Sequence, residues 1–208
     1  MKHKIASQKI VAFFCLVLLL ANSTGVVFAT GIPAPPAAGS TFDQRLAQRK
    51  AEQNEQLNAQ TQQHITAICA QQQAGIRRLQ GKATTMSNNR TSTYQKIDGT
   101  LLITIGQLKL DLLDTFTLEQ DRSTLAQKIA TFETTTSNYG QTLGDLLTIN
   151  CQADPAGYQA LLDTARYYFS QLGPQSANIS SYIANTVQPI LQTFATQLQP
   201  KVNTNAGN

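Results

Sequence analysis

Tyr94-Gln95-Lys96-Ile97-Asp98-Gly99-Thr100-Leu101-Leu102-Ile103-Thr104-Ile105, residues 94–105, supports two opposite folds. Asp98-Gly99 between β-favouring residues is the signal of a tight hairpin, which would give the chain a sheet. The same residues also carry a helical stripe, with Tyr94, Ile97, Leu101, Ile105, Leu108 and Leu112 recurring at spacings of three and four. The stripe has no phase break, and the rest of the chain supplies no sheet partners, so the spacing predicts helix. Gly99 and Gly106 each cost about 1 kcal/mol relative to alanine there, and a kink is expected near Gly99.

Working outward, the stripe extends back through Phe42, Leu46, Leu57, Ile65, Ile68, Cys69, Ile76, Leu79, Ala83 and Met86, with polar interruptions at Gln53, Gln72 and Arg90. This predicts one long coiled-coil-like helix over about 42–113. Its start is marked by capping-box spacing at Ser40/Asp43 and Thr41/Gln44. Large apolar residues are sparse before Ala59, so that part is expected to project beyond the bundle. Asp114 to Thr117 reads as a turn. Leu118, Arg122, Leu125, Ile129, Phe132, Thr136, Tyr139, Leu143 and Leu146 then alternate four and three in a helix over about 117–149 that starts from a Thr117/Gln120 capping box. Asp154-Pro155 supplies an N-cap and a first-turn proline for a helix over about 155–198. Its stripe is Tyr158, Leu162, Ala165, Phe169, Leu172, Ile179, Ile183, Val187, Ile190, Phe194 and Leu198, with kinks or a break expected at Gly173-Pro174 and Pro189. Short connections imply an all-α fold of one domain over 42–199: an elongated up-down-up antiparallel three-helix bundle with coiled-coil-like packing.

Residues 1–29 read as a secretory signal peptide, with Lys2, Lys4 and Lys9 ahead of a short apolar run from Ile10 to Ala21 and small residues before Thr30. The run falls short of the roughly 20 residues that span a bilayer; an uncleaved anchor is the alternative. Residues 30–41, rich in Pro, Ala and Gly, read as an extended flexible linker and 200–208 as a disordered tail. Cleavage takes the charge from 16 Lys+Arg against 12 Asp+Glu to 13 against 12. Such a balance lacks the footprint of nucleic-acid binding, and no later run reaches spanning length. The expected location is periplasmic or extracellular.

Cys15 leaves with the signal, and Cys69 and Cys151 remain. In an oxidising compartment an intramolecular disulfide is the default, against intermolecular pairing or free thiols. Helix geometry alone leaves Cys69 roughly 15 Å past the antiparallel partner of Cys151, so the bond requires Cys151 to lie in the loop after the second helix, pinned back onto the first. His64 is the remaining histidine and reads as a boundary or solvated residue. Asp43, Glu52 and Glu55, interleaved with Arg45, Arg49 and Lys50, read as a solvated helix face. No residue set for catalysis, a cofactor or a metal is assigned, and no nucleophile elbow, phosphate loop or paired-histidine motif is present. Phe132, Tyr139, Phe169 and Phe194 are read as core. Tyr167 and Tyr168, flanking the third stripe, are the candidates for a contact surface, with a partly buried boundary position as the plainer reading. Asn89-Arg90-Thr91 and Asn178-Ile179-Ser180 match the N-glycosylation pattern.

A cysteine before a long helix with Arg90-x-x-x-Tyr94, a heptad helix ending near a second cysteine, and a last helix with Ala165-Arg166 and Tyr182 through Pro189-Ile190 together resemble secreted, cysteine-paired helical proteins of small-genome candidate-phylum bacteria. The resemblance covers about Cys69 to Phe194 and implies an extracytoplasmic bundle without enzymatic activity; Gly173-Pro174 departs from it. Two readings compete: a structural or protein-interaction bundle at the envelope or outside the cell, with self-association through helix faces as one form, and a periplasmic holdase or adaptor. A contiguous uncovered apolar strip would favour the client-binding reading, whereas an enzyme would show a concave polar pocket.

Overall fold

The computed structural model describes residues 34–53 and 57–198, and the regular elements among them are all helical. The segments read as a signal peptide (1–29) and as a tail (200–208), the first part of the expected linker and Glu55 lie outside the described residues. The helices are α1 (Phe42–Gln53), α2 (Ala59–Leu110), α3 (Phe116–Thr148), α4 (Pro155–Tyr182) and α5 (Gln188–Leu198), the last two joined by a π-helical turn (Ile183–Val187). Residues 94–105 lie within the 52-residue α2, so the hairpin is not formed. Thr100 and Thr104 accommodate the helix by donating their hydroxyls to the carbonyls of Lys96 and Thr100, 2.8 and 2.9 Å away. Leu101, Ile105 and Leu108 are buried.

The expected single helix over 42–113 is two helices. Asn58 takes an extended backbone, and its side chain accepts from the Thr61 amide at 2.8 Å, opening α2 with a cap of its own. The capping box at the start of α1 is realised: the Thr41 amide donates to Gln44 Oε1 (2.9 Å) and the Gln44 amide to Thr41 Oγ1 (3.3 Å). The Thr117/Gln120 box is not, because α3 begins earlier; Thr115 precedes it, its hydroxyl donating to Glu119 Oε1 at 2.6 Å. Asp154 caps α4 as its Asp-Pro pair requires, accepting from the Gly157 amide at 2.9 Å.

The core is organised by α3, which packs on α2 along one flank and on α4 along the other. Its expected stripe is buried at Leu118, Leu125, Ile129, Phe132, Tyr139, Leu143 and Leu146, while Arg122 and Thr136 are half-buried. α2 and α3 run antiparallel: Tyr94 meets Phe132 edge to face with centroids 5.4 Å apart, Arg122 pairs with Asp98 at 2.8 Å, and Gln73 donates to the carbonyls of Leu146 and Ile149. On the other flank Gln175 reaches Thr135 and Tyr182 donates to Asp121 at 2.7 Å. The helix continues through Gly173-Pro174; the change of geometry comes at Ile183–Val187. Pro189 has no amide to donate and its ring crowds the carbonyl four residues back, and a wider π turn just before it lets the helix continue. Four stripe residues are corrected. Phe169 is 39% exposed, although its ring still packs on Tyr139 with centroids 5.7 Å apart, and Met86, Leu112 and Leu198 face outward.

Replacing Phe132 with alanine should cost about 3–5 kcal/mol in chemical denaturation, the range for deleting a buried aromatic. Burial pushes the phenols of Tyr139 and Tyr158 up to about 12. The unfolded chain releases these protons near pH 10, so the folded state holds more of them above that point. Stability should therefore be intact below about pH 10 and fall as pH rises toward about 12. In a circular-dichroism titration the decline should flatten when both residues are replaced by phenylalanine.

Candidate interaction surface

The cations expected to form a solvated face on α1 instead fasten it to the bundle. Arg45 grips Asp145 of α3 with two bonds, Nε to Oδ2 at 2.8 Å and Nη2 to Oδ1 at 2.5 Å, and also donates to the Ser40 carbonyl. The hydrogen bond to Asp145 raises the guanidinium further above its ordinary value, against the opposing pull of burial. Arg49 is buried, donating to the Ala34 carbonyl (2.7 Å), Glu52 (2.8 Å) and the Tyr168 hydroxyl (3.2 Å). Lys50 pairs with Asp154 at 3.1 Å. Hence α1 does not project beyond the bundle; it lies against α4, and residues 34–40 fold back onto it rather than forming a free tether. Leu46 closes the contact beside Gly157, where a Cβ would stand 2.9 Å from its Cδ1 and 2.5 Å from Asp154 Oδ2, so a larger residue would displace both Leu46 and the Asp154 cap.

Cys69 and Cys151 are joined, with their Cα atoms 5.9 Å apart. Cys151 lies in the 149–154 connection between α3 and α4 and is fully buried, so the bond pins that connection onto α2, as the helix register requires. Tyr168 is corrected as a surface residue: it is 5% exposed, its hydroxyl is held by Arg49, and burial pushes its phenol up while Arg49 opposes. Tyr167 is half-buried, edge-on to Tyr168 at 5.6 Å. The two tyrosines therefore belong to the seat of α1. His64 is exposed.

Two surfaces escaped the sequence reading. One is a shallow depression of about 760 Å³ along α2, bordered by Arg77, Arg78, Lys82, Met86 and Arg90. Residues 56–97 contain no Asp or Glu, which makes this a local positive strip. The other lies at the α2–α3 turn, where large apolar side chains face outward: Leu102 is 53% exposed, Ile103 65%, Leu110 84%, Leu112 93% and Phe116 65%. The Lys109–Glu119 ion pair (2.9 Å) crosses from α2 to α3 here, and Phe116 stands one turn before Glu119, so the strip passes from one helix onto the next. Leu112 occupies the left-handed region (φ 59°) where glycine ordinarily ends a helix, with the Leu113 amide donating to the Leu108 carbonyl and the Leu112 amide to that of Lys109. The signal was present in Leu101-Leu102-Ile103, three consecutive apolar residues that no single helix face can bury. No group of three or more His, Cys, Asp or Glu is placed to hold a metal among the described residues. Comparison with protein-family models, curated proteins and solved structures finds no match for this chain.

Replacing Asp145 with alanine leaves Arg45 without its charge partner, and should cost about 3 kcal/mol, the lower end for breaking a buried pair. Hydrogen exchange should accelerate first in residues 42–53.

Proposed function

We propose that this protein is a non-enzymatic helical bundle, exported to the periplasm or the cell exterior, that binds another protein through the α2–α3 end. The observation that carries the reading is the uncovered strip of Leu102, Ile103, Leu110, Leu112 and Phe116. Five large apolar side chains held in water on one end of a bundle favour association, since each buries apolar surface when covered. The rest of the architecture suits a rigid support. α2 alone is about 78 Å long at 1.5 Å per residue. We take α2, α3 and the run from α4 to α5 as an up-down-up core with coiled-coil-like spacing along α3, and α1 as a clasp on its side. Export rests on the basic and apolar pattern of residues 1–29, and the resemblance to secreted cysteine-paired helical proteins agrees with it.

The same strip favours a second reading, a periplasmic holdase or adaptor that binds clients through apolar surface. The two differ in shape: a clamp needs a groove between helices, whereas these residues lie on the outer side of α2, in the turn and at the start of α3, which suits docking to one complementary surface. Cross-linking on intact cells separates them. One or a few defined partners, lost when Ile103 and Leu110 are both replaced by glutamate, is the expected result. A broad smear of clients would favour the holdase, and cross-links unchanged by the substitutions would reject the strip as the binding surface.

A further inference from the structure

Between Leu101 and Leu110, α2 carries apolar residues on two opposite sides, with Thr104, Gln107 and Lys109 between them. Leu101, Ile105 and Leu108 are buried in the bundle, while Leu102, Ile103 and Leu110 point away from it. A large apolar face left in water marks an interaction site, and this bundle covers only the side that carries Leu101, Ile105 and Leu108. Over the preceding turns the outward positions are instead polar or charged, as at Asn88, Asn89, Arg90, Ser92, Thr93, Gln95 and Lys96. With the exposures given above, the five side chains of the strip leave on the order of 600 Å² open. That is at the upper limit of the roughly 300–600 Å² patch of an ordinary monomer and close to the roughly 800 Å² per partner of a standard interface.

Resting on the reading of this strip as an interaction surface, we propose that its occupant is a second copy of the chain, docked antiparallel on a two-fold axis that passes through Gly106. Gly99, Ile103, Gly106 and Leu110 follow one another at spacings of four, three and four and lie on one line of α2. Laid antiparallel about Gly106, Ile103 of each copy meets Leu110 of the other, so the surface is self-complementary, as a two-fold interface must be. A Cβ on Gly106 or Gly99 would meet nothing within 4 Å. The bundle does not need glycine at either position, just as it does not at Gly75, Gly81, Gly140 or Gly173; what sets these two apart is their place on the apolar line, where a missing side chain lets two helix axes approach closely.

Charge fixes the orientation. Lys96 is exposed, stands two turns before Ile103 on the same side and makes no ion pair among the described residues, whereas the other end of the strip carries Asp111 and Asp114. Antiparallel docking sets Lys96 of one copy toward the acidic end of the other; parallel docking sets like charges together. The same acids oppose a lipid occupant. Between 109 and 119 the charges are Lys109 against Asp111, Asp114 and Glu119, net −2, at the tip that would have to approach an anionic membrane.

Sedimentation velocity of the purified protein should show a dimer, and replacing both Ile103 and Leu110 with glutamate should weaken dimerisation by roughly 100-fold while the helical circular dichroism is kept. Cysteine scanning tests the axis without disturbing the core. Gly106→Cys should form a disulfide-linked dimer with itself, and Gly99→Cys should not, because antiparallel docking separates the two copies of residue 99 by roughly 20 Å. A wild-type protein that stays monomeric, or a dimer that links through Gly99→Cys and not through Gly106→Cys, would overturn the proposal. A monomer whose partner cross-links in cells are still lost in the double-glutamate variant leaves the interaction surface standing and removes only the second copy.

Discussion

Leu118, Leu125, Ile129, Phe132, Tyr139, Leu143 and Leu146 have to be withdrawn from water together, and one neighbouring helix is too narrow to cover them. α2 takes one flank of this seam and α4 the other, and direct contact between α2 and α4 is sparse by comparison. Burying seven side chains of this size, each contributing about 1.5–3 kcal/mol, outweighs every polar contact in the molecule. The ion pairs and hydrogen bonds between helices then select the register: Arg122 with Asp98, Gln95 with Glu133, Gln175 with Thr135 and Tyr182 with Asp121 sit along the edges of the seam, where the apolar side chains end. The disulfide acts on the same arrangement from outside. By closing a separation of 82 residues it removes loop entropy from the unfolded chain, up to about 4.5 kcal/mol in the chain-entropy account.

What was legible in the sequence is what depends on near neighbours. The heptad stripe of α3, the Thr41/Gln44 box and the Asp154-Pro155 start all involve residues within a few turns of one another, and all are found where the spacing put them. The placement of Cys151 in a loop was also legible, because helix rise per residue is a fixed quantity. The fold-back of α1 was not. Its anchors, Arg45 to Asp145 and Arg49 to Tyr168, join positions 100 and 119 residues apart, and a helix with few apolar residues reads as solvated until its partners are known. Asn58 could have been read as a cap, since Asn-x-x-Thr offers a side-chain acceptor to the third amide. Tyr167 takes the boundary position that was its plainer reading, whereas Tyr168 departs from it for the same reason as α1, because it is covered by a segment expected to be elsewhere.

The region read as either hairpin or helix turns out to be the region with an unsatisfied surface. Consecutive Leu101, Leu102 and Ile103 suit a strand buried on both faces, and in a helix they spread round most of the circumference. Helix wins here because Leu101, Ile105 and Leu108 continue the contact of α2 with α3, leaving Leu102, Ile103 and Leu110 uncovered. The strained Leu112 at the end of the same helix adds to the pattern: a leucine held at φ 59° with 93% of its surface in water is a local cost that packing inside the bundle does not explain. Local disagreement with the folding rules is concentrated at this one end of the molecule.

The seat of α1 also sets an order of events in time. A chain is synthesised from its N-terminus, so Phe42, Arg45 and Leu46 exist long before Asp145, Gly157 and Tyr168 follow them. The α2–α3 hairpin closes over a short connection and needs only residues already made once Leu146 is complete, whereas α1 has no surface to dock on until the first turns of α4 have formed. Of the described helices the first to be made is thus the last to find its place, and it acts as a lock: the Arg45 grip and the Leu46–Gly157 contact close only on a bundle whose other helices are already correctly paired.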